Sequence, residues 1–271
     1  MPNTVGVFSA QKKDGTVYFR SSITYHGKHI SLGSFSTEQK AHDAYCLASN
    51  LLFFNSKETC SYQPEDYLDY GTAVTFSKWV MLLNFKANNV YCRNPIYLKH
   101  RYFIYYLDIS TPLKFDIDDL FYYMNHKILR RGNHLFVSDY GMQVNILSRY
   151  GIRNYSVAGK DYRFVNEDPF DYRYGNIEII NRYYGVTKTQ KVNTIEYTAK
   201  IHVNGSILIG RYQSEIEAAI AYNKAVAILK KQGITKNFFE NYIEDINEID
   251  YAKIYHQIRI SNKIRNYITI S

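Results

Sequence analysis

"HVNGSILIGRYQSEIEAAIAY", His202 to Tyr222, restates an earlier stretch, "TYHGKHISLGSFSTEQKAHDAY", Thr24 to Tyr45. Gly6-Val7 corresponds to Gly185-Val186, Phe19 to Tyr197, Gly27 to Gly205, Gly33 to Gly210 and Tyr45 to Tyr222, at an offset falling from 179 through 178 to 177. Small deletions in loops produce such a drift, so the chain carries one unit twice.

The second copy shows what that unit is. In "EYTAKIHVNG" Tyr197, Ala199, Ile201 and Val203 alternate with Thr198, Lys200 and His202, the period of a half-buried strand. Asn204-Gly205 is a two-residue hairpin signal, because both residue types tolerate positive φ. His26-Gly27 holds the same place in the first copy, and an additional short strand is expected at each Gly-Val. A helix follows each hairpin. Ser214 suits an N-cap and Glu217 would complete a capping box, while Thr37 stands at the first copy's helix start. Ala218, Ala221, Tyr222 and Ala225 recur at helical spacing, as do Ala41, Ala44, Tyr45 and Ala48. Small alanines let a helix sit close against a sheet. The expected unit is a three-stranded antiparallel sheet with one face covered by a helix and the other open. An open polar face of this kind fits a major groove.

Composition agrees with such a partner. The chain has 271 residues, enough for two or three small domains, and 46% of them are hydrophobic. Its net charge of +8 points to an anionic partner, nucleic acid before acidic membrane. The 28 tyrosines fit an AT-rich coding sequence as well as a surface that stacks or touches phosphate. No apolar run approaches the roughly 20 residues of a membrane span, and the N-terminal text lacks a signal peptide's apolar segment. Cys46, Cys60 and Cys92 show no metal-type spacing, as suits a reducing cytoplasm. A cytoplasmic, nucleoid-associated protein with no membrane partner is therefore expected.

The ordered set "GV", "YTAKI", "NG", "IGRY", "EAAIAY" and "KNFF" resembles the DNA-binding domain of the Apetala/ethylene-response-factor family. The first copy supplies "GVF", "FRSSI", "HG", "LGSF" and "KAHDAY". The resemblance implies that side chains on the open sheet face read DNA. By position these are Arg20, Ser22, Thr24, His29 and Ser31 in the first copy, and Thr198, Lys200, His202 and Arg211 in the second. Lys188 and Lys191 join them from the second copy's opening hairpin. Lys12, Lys13 and Lys28 are expected at phosphates, where they position without specifying.

Between the copies, residues 61–94 read as a connector in which Thr75 to Phe85 forms a packing helix and Trp79 belongs to a core. Residues 95–182 contain "DIDDL" and, at the end, "FDYRYGNIEIIN". This stretch resembles the HNH homing endonucleases of phages and bacteria, which often carry an Apetala-type domain directly after the nuclease. The catalytic positions depart from that family. Leu147-Ser148-Arg149 stands where Leu-His-Arg is usual, the Asp-His pair falls on Arg163-Phe164, and Tyr172 replaces an Asn. Asn166, Asp168, Asp171 and Asn176 persist. Phenylalanine cannot take a proton from water and arginine repels a cation, so no catalytic residue, metal ligand or cofactor is assigned. His126 and His134 fit no metal-ligand spacing. Arg130 and Arg131 beside them form an expected phosphate-contact patch. Asp116, Asp118 and Asp119 suit a helix N-terminus, and Asp168 and Asp171 a turn around Pro169.

The expected architecture is α+β: an Apetala-type module over 1–60, the connector 61–94, a degenerate HNH-like domain over 95–182, a second module over 183–240, and a helical tail over 241–271. In the tail, Ile254, Ile258 and Ser261 are placed on one helical face. That tail either packs back on the protein, forms a homodimer contact, or adds a basic arm. The function implied is sequence-specific binding of double-stranded DNA by a transcriptional regulator derived from an HNH homing endonuclease that has lost catalysis. The alternatives are an active divergent HNH-type homing endonuclease of a phage or mobile element, a protein-interaction module, and an architectural DNA factor.

Overall fold

The alternation in the first copy sets which side chains its sheet buries. In the computed structural model, which describes residues 4–53 and 62–267, strands β1 (Val7–Gln11), β2 (Val17–Tyr25) and β3 (Lys28–Phe35) form an antiparallel sheet in that order. Ile23, Ile30 and Leu32 are buried beneath helix α1 (Glu38–Phe53), which contributes Ala41, Ala44 and Ala48 with no exposed surface. His26 and Gly27 both take positive φ (44° and 72°), the backbone of a tight hairpin turn. Thr37 caps the helix, its hydroxyl accepting the Lys40 amide at 3.3 Å. Cys60 lies outside the described residues.

Helix α2 (Phe76–Asn88) forms over the stretch expected to be helical and packs against α1, with Trp79 fully buried. A second antiparallel sheet follows: β4 (Ile96–Leu98), β5 (Tyr102–Tyr106) and β6 (Pro112–Asp116). Short helix α3 (Leu120–Asn125) closes an aromatic core in which the Phe115 ring centre lies 4.4 Å from that of Tyr123 and 5.5 Å from that of Tyr172. Strands β7 (Ile128–Arg131), β8 (His134–Asp139) and β9 (Met142–Asn145) make a third three-stranded sheet.

The chain divides into two compact units, the first comprising residues 1–145 and 168–176, the second 146–167 and 177–271. The stretch 95–182 is thus shared between them, for reasons visible in its hydrogen bonds. Within the first unit Lys114 donates its amide to the Phe170 carbonyl and accepts from the Tyr172 amide, both at 2.8 Å. Within the second, Asp161 gathers its own neighbourhood: its carboxylate accepts from the Val157 amide and from Arg153, and its carbonyl from the Ile180 and Asn181 amides.

The second unit holds the hairpin β10 (Tyr162–Phe164) and β11 (Ile177–Ile179), then the second copy: β12 (Val186–Gln190), β13 (Ile195–His202), β14 (Ser206–Tyr212) and helix α4 (Glu215–Lys231). The alternation in β13 falls as its sequence suggests, with Ala199 and Ile201 buried and Lys200 and His202 exposed. Two local expectations fail. Only Gly205 of the hairpin pair takes positive φ (146°), because the loop spans three residues between the paired His202 and Ser206. Ser214 sits at the N-cap but makes no side-chain cap bond, so no capping box forms; the first-turn acid Glu215 instead accepts the Arg182 amide at 3.1 Å.

The tail packs back on its own unit. It is two helices, α5 (Glu248–Gln257) and α6 (Asn262–Arg265), separated where Ile258 turns extended, so Ile254, Ile258 and Ser261 do not share one helix. Lys224 of α4 donates to the carbonyls of Tyr255 at 2.7 Å and Ile258 at 3.0 Å, satisfying the open end of α5. Ser261 bonds the edge strand twice at 2.8 Å, through its amide to the Ile209 carbonyl and its hydroxyl to that of Leu208. Ile260 and Ile264 are buried in the same core, so the tail packs back on its own unit. Among the described residues no helix is long and apolar enough to cross a membrane.

Candidate nucleic-acid interface

Two uncovered sheet faces present the polar side chains. On the first, cross-strand rows run Phe8–Arg20–Ser34, Ser22–Ser31 and Thr24–His29. A bulge lets Leu32 bury itself while Ser31 and Ser34 both stay on the outer face. All five residues expected to read bases from this copy, Arg20, Ser22, Thr24, His29 and Ser31, share that face. Arg20 is fixed there by Tyr18, two residues back: its Nη2 donates to the Tyr18 hydroxyl at 2.7 Å.

The flanking lysines sit differently. Lys12 and Lys13 occupy the exposed β1–β2 turn, which the Lys12 amide closes on the Thr16 carbonyl at 2.9 Å. Lys28 pairs with Tyr25, on the helix side of the sheet, and its ammonium lies 4.9 Å from the centre of the Tyr91 ring.

On the second face the rows run Thr187–Thr198–Arg211, Lys200–Leu208 and His202–Ser206, again with a bulge, here at Ile209. Thr198, Lys200, His202 and Arg211 are brought together as expected. Lys188 is not among them. The register sets it opposite Tyr197, on the side of buried Val186, so it leaves the open face. Lys191 lies in the turn after β12, its amide bonded to the Thr194 carbonyl at 2.8 Å.

Between Lys191 and Arg211 stands Glu196, four-fifths buried, with one carboxylate oxygen 3.0 Å from the Lys191 ammonium and 3.7 Å from Arg211 Nε. Glu196 is not among the side chains expected at the interface, and neither are Phe8, Ser34, Thr187 and Leu208. Strand parity finds only Glu196, one alternation before Thr198; Ser34 and Leu208 lie across the bulges, and Phe8 and Thr187 are placed on these faces by the register of the outer strands.

Arg130 and Arg131 fall on consecutive residues of β7 and so on opposite faces of its hairpin. Arg130 Nε donates to the Gly132 carbonyl at 3.2 Å, and Arg131 lies opposite His134 and 3.4 Å from the Gln143 amide oxygen. The expected patch is therefore two separate cations.

The nuclease-like positions are occupied by structural pairs. His126 Nδ1 lies 2.9 Å from the Tyr122 carbonyl, and Nε2 is 3.5 Å from Asp139. Arg163 pairs with Glu178 across β10 and β11 at 2.6 Å. Asp168 pairs with Lys114 at 2.8 Å, which holds its carboxyl below the usual range, and accepts the Phe170 amide at 3.0 Å in the turn around Pro169. Fully buried Asp171 binds Arg173 through both oxygens, while Asn176 donates to its carbonyl at 2.8 Å. Asp116 accepts the Tyr174 amide at 2.7 Å. Among the described residues, no three His, Cys, Asp or Glu side chains are grouped so as to hold a metal ion.

Comparison with protein-family models, with curated proteins and with solved structures finds no match to this chain.

Proposed function

We propose that this chain is a sequence-specific double-stranded DNA-binding protein of the nucleoid, acting as a transcriptional regulator and derived from an HNH homing endonuclease that has lost catalysis. The observation that carries the reading is the pair of open faces. Each copy seals one side of its sheet with an alanine-rich helix and leaves on the other a row of side chains able to donate to base edges. A two- or three-stranded ribbon fits the major groove, where arginine or lysine discriminates guanine, and serine or threonine serves several bases.

The net charge of +8 supports a polyanionic partner. Two readers in one chain gain avidity on paired half-sites, because the second contact forms at a raised effective concentration. No catalytic step is assigned. Arg163 and Phe164 offer neither a base for water nor a cation ligand, and their neighbours are engaged in ion pairs.

Selection of bound sequences from a random duplex pool tests the reading. Enrichment of a motif with two half-sites at fixed spacing is expected. Failure to retard any duplex at low salt overturns it, and cleavage of the bound duplex with magnesium, manganese or zinc overturns the loss of catalysis.

A further inference from the structure

One position of the repeat does the same task in both copies with opposite chemistry. Tyr18 corresponds to Glu196 at the offset of 178 that relates Arg20 to Thr198. In the first copy the Tyr18 hydroxyl accepts from Arg20, on the same strand. In the second the arginine has moved to the neighbouring strand, as Arg211 in the row of Thr198, and the Glu196 carboxylate meets it there. Each open face thus has a single arginine on its strands, and each arginine is steered by the side chain at this one position.

We infer that Tyr18 and Glu196 are the positioning residues of the two arginines, and that the anionic one makes the second sheet the discriminating reader. This rests on the DNA-binding reading given above. Tyr18 is a neutral holder, so Arg20 presents its full charge to any phosphate or base. Glu196 also engages Lys191 at 3.0 Å, so two cations of the second face share one anion that is only 20% exposed. A carboxylate at this surface repels every phosphate backbone alike, which weakens binding to all sequences. It is offset only where a base donor, such as the cytosine amino group, takes up the carboxylate, or where a guanine takes up the oriented Arg211. Glu196 therefore lowers indiscriminate affinity more than selected affinity.

The test compares Glu196→Gln and Tyr18→Phe with the unmodified full-length chain, on the duplex enriched by selection and on a scrambled duplex, across a salt series. Glu196→Gln is expected to raise affinity for the scrambled duplex about threefold or more, and to raise selected affinity less, so that the discrimination ratio falls. Its salt dependence on scrambled DNA should steepen by about one unit of slope, since a cation is released to phosphate. Tyr18→Phe is expected to lower selected affinity with no change of slope. Glu196→Asp, which keeps the charge, should restore most of the ratio, a rescue that a merely structural role would not produce. An unchanged ratio in Glu196→Gln, or equal weakening on both duplexes, overturns the inference. Unmodified protein that binds both duplexes equally overturns it while leaving DNA binding intact; unmodified protein that binds neither overturns the DNA-binding reading itself.

Discussion

The ring of Tyr222 lies so close against Gly185 that no Cβ fits between them, and the Lys200 carbonyl crowds the same place. Gly6 and Tyr45 repeat the contact in the first copy. Both glycines take positive φ (77° and 70°), and both carbonyls accept the amide of the central strand's outward residue, Ser22 at 3.2 Å and Lys200 at 2.8 Å. This explains why the repeat retains Gly at its start and Tyr on its helix: the two residues form one joint. Gly6→Ala and Gly185→Ala should each destabilise by about 2–4 kcal/mol, from strain and overpacking together. Around Gly6 the nearest obstructing atoms are those of the Tyr45 ring, whereas at Gly185 backbone obstructs as well. Tyr45→Ala should therefore relieve Gly6→Ala more than Tyr222→Ala relieves Gly185→Ala. Urea unfolding of the two double-mutant cycles measures the difference, and equal relief would refute this account.

The open faces make a prediction about which lysines matter. Lys200→Ala and Arg20→Ala should each weaken DNA binding by about 1–3 kcal/mol without moving the thermal midpoint, because both side chains are exposed and outside the core. Lys188→Ala and Lys28→Ala, on the helix-side parity, should cost less than half as much. Anisotropy titration on one duplex decides it. Equal losses from Lys188→Ala and Lys200→Ala would mean that strand parity does not define the contact surface.

Much of this was legible in the sequence, and the reason differs by element. The two sheet-and-helix units announce themselves because strand alternation and alanine spacing are local patterns, each written twice. The position of Lys188 was not legible. Charge flags it, but only the pairing of Val186 with Ala199 shows which way it points. Glu196 shares the parity of Thr198, but only the folded sheet brings Lys191 and Arg211 to its carboxylate. Between the copies the decisive contacts are long-range: Lys114 with Asp168, Phe115 with Tyr172, Asp161 with Asn181. No local periodicity encodes such partners. In the tail, the isoleucine spacing suggested one helical face; the break at Ile258, where Lys224 of α4 donates to the carbonyls of Tyr255 and Ile258, depends on a residue some thirty positions away that no local spacing encodes.

That role of Lys224 is testable. Its ammonium donates to two carbonyls of the tail at 3.0 Å or less, and burial lowers its pKa. Lys224→Met keeps the aliphatic stem but leaves those carbonyls unbonded, and should cost about 1–3 kcal/mol. Ser261→Ala removes one of two bonds to the edge strand and should cost about 1 kcal/mol. Hydrogen exchange should show the loss concentrated in α5, α6 and β14. Uniform loss across the second unit would contradict the proposed strut.

The alkaline limit of the fold follows from buried protons, among them those of Cys92, Tyr105 and Tyr212; burial also pushes up the Tyr106 hydroxyl, which adds to the loss at higher pH. Burial pushes the Cys92 thiol up to about 11, and the Tyr105 and Tyr212 hydroxyls up to about 12. In each case folding favours the neutral form, so the folded chain keeps a proton that the unfolded chain releases. Stability from these groups is complete below their ordinary values of 9.0 and 10.0, and falls as pH rises through the folded ones. Each group lowers stability by up to about 1.4 kcal/mol per pH unit within its own window. Cys92 acts first, and Tyr105 and Tyr212 add their slopes about one unit later. The denaturant midpoint should hold between pH 7 and about 8.5 and then decline with increasing steepness. Cys92→Ala should flatten the decline between about pH 9 and 11 and leave the slope above about pH 11 unchanged. A midpoint that stays level to pH 11, or an unchanged early slope in Cys92→Ala, would show that these protons do not set the limit.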